Sequence, residues 1–157
     1  MTKEEQYKEL LAQAAAVVAG ETDLIANMAN VAALIHETFG FWWTGFYRVQ
    51  NTDRCQVDLR VQTELVLGPF QGPLACTRIP YGKGVCGTAW EKNETVIVPN
   101  VHEFKGHIAC SSESNSEIVV PVHQNGEVIA VLDIDSKEFN TFDEIDKKYL
   151  EQIVKLL

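Results

Sequence analysis

Residues 117–135 read Glu-Ile-Val-Val-Pro-Val-His-Gln-Asn-Gly-Glu-Val-Ile-Ala-Val-Leu-Asp-Ile-Asp. Two apolar, β-branched runs, Glu117 to His123 and Glu127 to Asp135, flank Gln124-Asn125-Gly126. Asn-Gly readily adopts the positive φ angles of a two-residue hairpin turn, so the spacing predicts an antiparallel hairpin. Alternation along its second strand sends Asp133 and Asp135 to one face and Leu132 and Ile134 to the other. Two acids on one face of so apolar a strand mean either a solvated strand end or a charged group held in a pocket.

More strands are predicted upstream at Trp42 to Val49, Glu64 to Phe70, Ala75 to Ile79 and Thr95 to Val98. Helical periodicity brackets them. Lys3 to Ala19 places Leu10, Leu11, Ala14, Val17 and Val18 on one side and stops at Gly20. A second helix follows Thr22, with apolar residues at Leu24, Met28, Val31, Leu34/Ile35 and Phe39, and Gly40 at its end. A last helix is expected to open on a capping box at Thr141-Phe142-Asp143-Glu144 and still reads as helical at Leu157. Helices from both chain ends around a mostly antiparallel sheet predict an α+β sandwich.

The length of 157 residues suits one domain, and 46% apolar with 22% charged residues suits a packed core. Thirteen basic against 22 acidic residues give a net charge of −9. That balance repels polyphosphates and anionic lipid, so neither nucleic acid nor membrane is expected as a partner. The first residues lack the basic-then-apolar order of a secretory signal. The apolar stretch from Leu10 to Ala19 is too short to span a bilayer. A cytoplasmic protein is therefore expected, in which Cys55, Cys76, Cys86 and Cys110 are kept reduced rather than locked in a framework.

The segment Asn100 to Ser116 has little periodicity and carries His102, Lys105, His107 and Cys110. Positive neighbours lower a thiol pKa, so Cys110 reads either as a nucleophile in an electropositive loop or as a small buried apolar residue. Cys76 stands in Gly72-Pro73-Leu74-Ala75-Cys76, at a strand start after a turn. Cys86 stands in Gly82-Lys83-Gly84-Val85-Cys86-Gly87-Thr88-Ala89, where glycines lead into a short helix. No Cys-x-x-Cys pair occurs, which argues against structural zinc, and no metal is expected. Gly82 and Gly84 lack a nucleotide-binding completion, but a tight turn there offers amides to an anion such as a carboxylate. Cys55 stands in a polar stretch and has no predicted role.

Glu117 opens the partner strand and is placed to join Asp133 and Asp135. Clustered carboxylates raise one another's pKa, which keeps one protonated near neutral pH while another holds an ammonium. Trp43 and Tyr47, four apart on a strand, share a face. They read as core packing or, if the carboxylates share their cavity, as an aromatic wall.

Together Leu67-Gly68-Pro69-Phe70-Gln71-Gly72, Gly82 to Ala89, Gly106-His107-Ile108-Ala109-Cys110, Ser116 to Pro121 and Val131 to Asp135 resemble the free methionine-(R)-sulfoxide reductases, which are GAF-domain enzymes. The likeness spans nearly the whole chain and implies a single GAF domain over 1–157. It further implies thioredoxin-dependent reduction of free L-methionine-(R)-sulfoxide to methionine, a defence against oxidative stress. Matched to the family motifs, Cys110 is the nucleophile, Cys76 the resolving thiol that forms the Cys76–Cys110 disulfide, and Cys86 an accessory or alternative resolver. Glu117, Asp133 and Asp135 match substrate-binding and acid residues, with Glu117 or Asp135 as the acid, and Trp43 and Tyr47 match the pocket for the methyl end. No bound cofactor is implied, reducing equivalents come from thioredoxin, and a homodimer is allowed for. The segment Asn51 to Thr63 looks longer than the family's usual connection and is expected to extend a hairpin away from the site. The rival readings are a non-catalytic GAF sensor, a module expected in longer multidomain chains, and a zinc-stabilised interaction module.

Overall fold

The computed structural model describes residues 1–52, 63–108 and 113–157. In chain order the elements are α1 (Lys3–Val18), α2 (Leu24–Phe39), β1 (Trp43–Asn51), β2 (Thr63–Gln71), β3 (Arg78–Pro80), α3 (Gly84–Lys92), β4 (Val96–Val98), a 3-10 turn (Val101–Glu103), β5 (Ser116–Gln124), β6 (Glu127–Ser136) and α4 (Glu144–Val154). The six strands form one sheet in the order β3-β2-β1-β6-β5-β4, and every neighbouring pair is antiparallel. The β5–β6 hairpin turns at Asn125 and Gly126, whose φ angles of 52° and 80° are those the dipeptide predicts.

Both faces of the sheet are covered, and strand alternation sorts the residues between them. Phe46, Ile118, Val120, Val122, Ala130, Leu132 and Ile134 join the core formed with α1, α2 and α4. Trp43, Tyr47, Val119 and Val131 face the other way, into a smaller core with α3 and the loops around Ala75, Val101 and Ile108. Removing a Leu-, Ile- or Phe-sized side chain from water contributes about 1.5–3 kcal/mol, so these two layers fix which face each strand residue takes.

Three expectations need correction. In α1 the inward residues are Tyr7, Leu10 and Ala14, whereas Val17 is exposed. Tyr7 stacks on Tyr149 and packs against Phe39, and its hydroxyl donates to the wholly buried Asp146 at 2.6 Å. The ammonium of Lys3 pairs with the same carboxylate, so the two chain ends are tied together by a buried charge that has its partners.

The last helix begins at Glu144, not Thr141. Asp143 caps the amides of Ile145 and Asp146, and Asp146 accepts from the Asp143 amide, so the box is Asp143/Asp146. The Thr141 hydroxyl is drawn instead to Ser136. The helix ends at Val154, three residues before Leu157. Finally, the strand predicted at Ala75 to Ile79 shortens to β3, which leaves Cys76 in the loop before it. No helix among the described residues is long and apolar enough to cross a membrane.

Candidate active site

The register of β5, β6 and β1 gathers the hairpin's acids on the α3 side of the sheet. Asp135 lies opposite Glu117 on one side and Trp43 on the other. Asp133 lies opposite Val119 and Gly45. Side chains of directly paired residues share a face and touch. A Cβ at position 45 would fall 2.4 Å from Phe70 Cβ and 2.6 Å from Trp43 Cη2. Glycine there lets the Trp43 indole lie across the strand, stacked on Phe70 at 5.2 Å and on Tyr47 at 5.9 Å.

Trp43, Tyr47, Ala75, Cys86, His107, Ser114, Glu117, Asp133 and Asp135 line one cavity, along with Trp42, Lys83 and Gly84. It leaves about 60 Å³ for the centre of a water-sized sphere. One water needs only about 10–15 Å³ by that measure, so a small polar ligand fits. Glu117 and Asp133 are buried, and Asp135 keeps some exposure. Of the two readings the sequence left open for these acids, the geometry is that of side chains lining a cavity.

Burial pushes the Glu117 carboxyl well above the usual carboxylate range, and the nearby charges of Asp133 and Asp135 add to it. Burial and then Asp133 do the same to Asp135, while a 2.9 Å hydrogen bond donated by the Ser114 hydroxyl works against them. Asp133 is also raised by burial, but hydrogen bonds from Glu117, Cys86 and Asp135 hold it back. Burial thus favours protons on Glu117 and Asp135, and Asp133, whose hydrogen bonds lower its pKa, is the member that most readily carries the cluster's negative charge. Oδ1 of Asp133 is buried without a hydrogen-bond partner among the described residues. Such an acceptor is costly to leave unmet, and it points to a donor supplied by a ligand.

Cys86 is a free, buried thiol pushed well above its ordinary pKa by burial and then by Asp133, Glu117 and Asp135. It is a protonated donor to the cluster, not a ready nucleophile. Its sulfur and one oxygen each of Glu117 and Asp133 lie within 4.8 Å of one another, a set that has the donors for a divalent cation. Binding one requires stripping protons from two groups that the site holds protonated, which weighs against a metal centre. Cys76 is disulfide-bonded. Its carbonyl accepts from the Tyr47 hydroxyl at 2.9 Å, and the Pro73 carbonyl accepts from the Trp43 indole at 3.0 Å.

Three basic residues precede Cys110 in the segment Asn100 to Ser116, namely His102, Lys105 and His107. His102 is exposed and bonded to Asn115, and Lys105 is exposed. Of the three, only His107 reaches the cavity, with Nε2 3.8 Å from Glu117 Oε2. Burial, and secondarily His102, lower its pKa and favour the neutral imidazole. Cys110 and Cys55 themselves lie outside the described residues, as does the interior of the connection predicted to extend as a hairpin.

A family model described as a GAF domain matches residues 21–157. The chain is 44% identical to the free methionine-R-sulfoxide reductase of Escherichia coli strain K12, over 100% of this chain and 89% of that protein. It superposes with a TM-score of 0.89 and 52% identity on the free methionine-R-sulfoxide reductase of Neisseria meningitidis in complex with its substrate, covering 99% of this chain and 88% of that one. The chain belongs to the GAF-domain family of free methionine-R-sulfoxide reductases. A Dictyostelium discoideum GAF domain-containing protein A is 56% identical over 99% of this chain and 92% of that protein.

Within this GAF domain Trp43, Tyr47, Cys86, Glu117, Asp133 and Asp135, all singled out by sequence, line one pocket, and Cys76 is tied to its wall. Ser114 and Gly45 were missed. Ser114 sits in a run of serines where nothing distinguishes it, and Gly45 matters only through a close approach visible in three dimensions.

Proposed function

We propose that this GAF domain reduces free L-methionine-(R)-sulfoxide to L-methionine in the cytoplasm, with electrons from thioredoxin and no bound cofactor. The observation that carries the reading is the unpartnered, buried Asp133 oxygen beside two carboxyls that keep their protons. The charged Asp133 receives the substrate ammonium, and the Trp43–Tyr47 wall receives the methyl end. Peptide-bound methionine sulfoxide has no free ammonium, so a site built to bury one rejects it.

The chemistry runs in three balanced steps. The Cys110 thiolate attacks the sulfoxide sulfur while Glu117 or Asp135 gives its proton to the oxygen. The hydroxyl then passes to the Cys110 sulfur as the bonds from the methionine sulfur to oxygen and to Cys110 break. This leaves methionine, a sulfenic acid on Cys110 and a carboxylate that regains its proton from water. The Cys76 thiol then displaces that oxygen as water and forms the Cys76–Cys110 disulfide. A thioredoxin dithiol finally reduces the disulfide and is itself oxidised. The protonated Cys86 thiol donates a hydrogen bond to the carboxyl cluster and is an accessory or alternative resolver.

The test is thioredoxin-coupled NADPH consumption with the free R epimer, the free S epimer and an N-blocked R-sulfoxide, for wild type and Cys110→Ser. Turnover of the free R epimer alone, lost in Cys110→Ser, is expected. Absence of turnover from protein whose thiols titrate as reduced returns the domain to a ligand-binding GAF module. Activity that survives Cys110→Ser removes that residue as nucleophile.

A further inference from the structure

Trp43 and Tyr47 each do something that an aromatic wall does not require. Their rings face the cavity, but their polar ends point at the chain between Pro73 and Cys76. The indole N–H donates to the Pro73 carbonyl at 3.0 Å, and the phenol donates to the Cys76 carbonyl at 2.9 Å. Both acceptors are backbone atoms, so the contacts depend on the donors and not on which side chains the loop carries.

Besides these two bonds the loop is held by the Cys76 disulfide, which is open when the resolving step begins, and by the packing of Ala75 and Cys76 on the smaller core. The loop contains no helix or strand, and Leu74 at its centre is 90% exposed. Gly72 enters it at φ 132°, where a Cβ would fall 2.7 Å from Trp43 Cδ1, so the chain is laid directly against the indole. Beyond the grip, the Thr77 carbonyl accepts from the Leu67 amide at 3.0 Å.

We infer that Trp43 and Tyr47 are positioning residues for the resolving step: they moor the loop so that the Cys76 sulfur stands beside the substrate pocket. The inference rests on the reductase reading above. In that step Cys76 Sγ attacks the sulfur of the sulfenic acid, the S–S bond forms as the S–O bond breaks, and the oxygen leaves as water with the thiol proton. A reaction between two groups on one chain is fast only when they are held in reacting geometry, and displacement by about 1 Å can cost on the order of 10²-fold.

The test mixes fully reduced protein with one equivalent of free methionine R-sulfoxide in the absence of reductant. Methionine, dimedone-trapped sulfenic acid and remaining thiols are followed on the same quenched samples, for wild type, Tyr47→Phe and Trp43→Phe. Wild type is expected to close its disulfide as fast as methionine appears. Tyr47→Phe keeps the ring and loses only the donor, so sulfenic acid is expected to accumulate, with closure slowed roughly tenfold or more relative to the methionine burst. Trp43→Phe is expected to shift the same ratio.

Closure in Tyr47→Phe that keeps pace with its own methionine burst overturns the inference. So does a burst that falls in step with closure, because the hydroxyl then serves the pocket or the fold and not the loop. A wild type that forms no methionine overturns the reductase reading first and this inference with it, an outcome told apart from the others by the wild-type trace alone.

Discussion

Glu117 and Asp135 face each other across the β5–β6 ladder, one from each arm of the Asn-Gly hairpin, and both hold their protons well above the ordinary carboxylate range. The causes are the same for both: burial first, and the charge that the cluster leaves on Asp133 second. A hairpin register has thereby placed two neutral acids around one charged acid.

That arrangement carries a stability cost with a definite pH sign. The folded protein keeps the Glu117 proton at pH values where the unfolded chain, with an ordinary pKa near ~4.3, has released it. The folded state then binds more protons, so stability falls as pH rises from the ordinary carboxylate range toward the raised value. Glu117→Gln removes this titration and leaves a neutral donor. Its melting temperature is expected to exceed wild type by a margin that widens with pH, about 2–4 °C for each kcal/mol recovered. Thermal melts from about pH 4 to about pH 9 check this. A margin that stays constant with pH removes Glu117 as the titrating group.

Asp133 differs from its neighbours in having hydrogen bonds that favour its charged form and one oxygen left over. It is therefore the partner for the ligand's ammonium, and Asp133→Asn is expected to act mainly on KM. Losing one member of a buried charge pair costs about 2–5 kcal/mol, a rise in KM of roughly 30-fold or more. Steady-state kinetics decide it. An unchanged KM with a collapsed kcat moves Asp133 from binding into the chemistry.

Much of this was legible because the periodicities were strong. Asp133 and Asp135 alternate with Leu132 and Ile134, and burial of the apolar pair on the helical side leaves the acids no other face. Asn125-Gly126 pinned the register that brings Glu117 opposite them. What failed was local and tertiary. Thr141 and Asp143 are both good caps, and the contest was settled by Asp146, whose place under Tyr7 and Lys3 no local pattern shows. Val17 lies on the apolar side of a drawn helix, but α1 turns Tyr7, Leu10 and Ala14 toward α2 and α4, and Val17 falls outside that buried stripe. Cys76 looked like a strand residue because Ala-Cys-Thr-Arg-Ile is β-prone, yet Trp43 and Tyr47 bond its loop before pairing with β2 begins.

Gly45 tests whether the aromatic wall depends on close packing. Alanine there drives a methyl into Phe70 and Trp43, at 2.4 and 2.6 Å from their nearest atoms, and neither ring can yield without leaving its stack. Overpacking of this kind costs about 1–3 kcal/mol, so Gly45→Ala is expected to lower the melting temperature by roughly 2–12 °C. Near-ultraviolet circular dichroism is expected to change with it, since the Trp43 indole must move. An unaltered spectrum and melt show that the wall has slack.

Cys86 is the group whose chemistry the site suppresses. With Cys76 in its disulfide, Cys86 is the free thiol among the described residues, and burial followed by the negative charge of the carboxyl cluster, Asp133 first, holds it protonated. Alkylation requires the thiolate, so native-state reaction with iodoacetamide is expected to run roughly tenfold or more slower than in the unfolded chain. The rate should climb only above the ordinary thiol pKa of about 8.5, because a raised pKa moves thiolate formation to higher pH. Asp133→Asn removes the nearest negative charge and leaves the burial in place. Its alkylation is therefore expected to speed up without reaching the unfolded rate. Mass spectrometry of the peptide bearing Cys86 follows both. Fast labelling of the wild type at neutral pH means that Cys86 carries a thiolate, and it makes Cys86 a competitor of Cys76 for the resolving step.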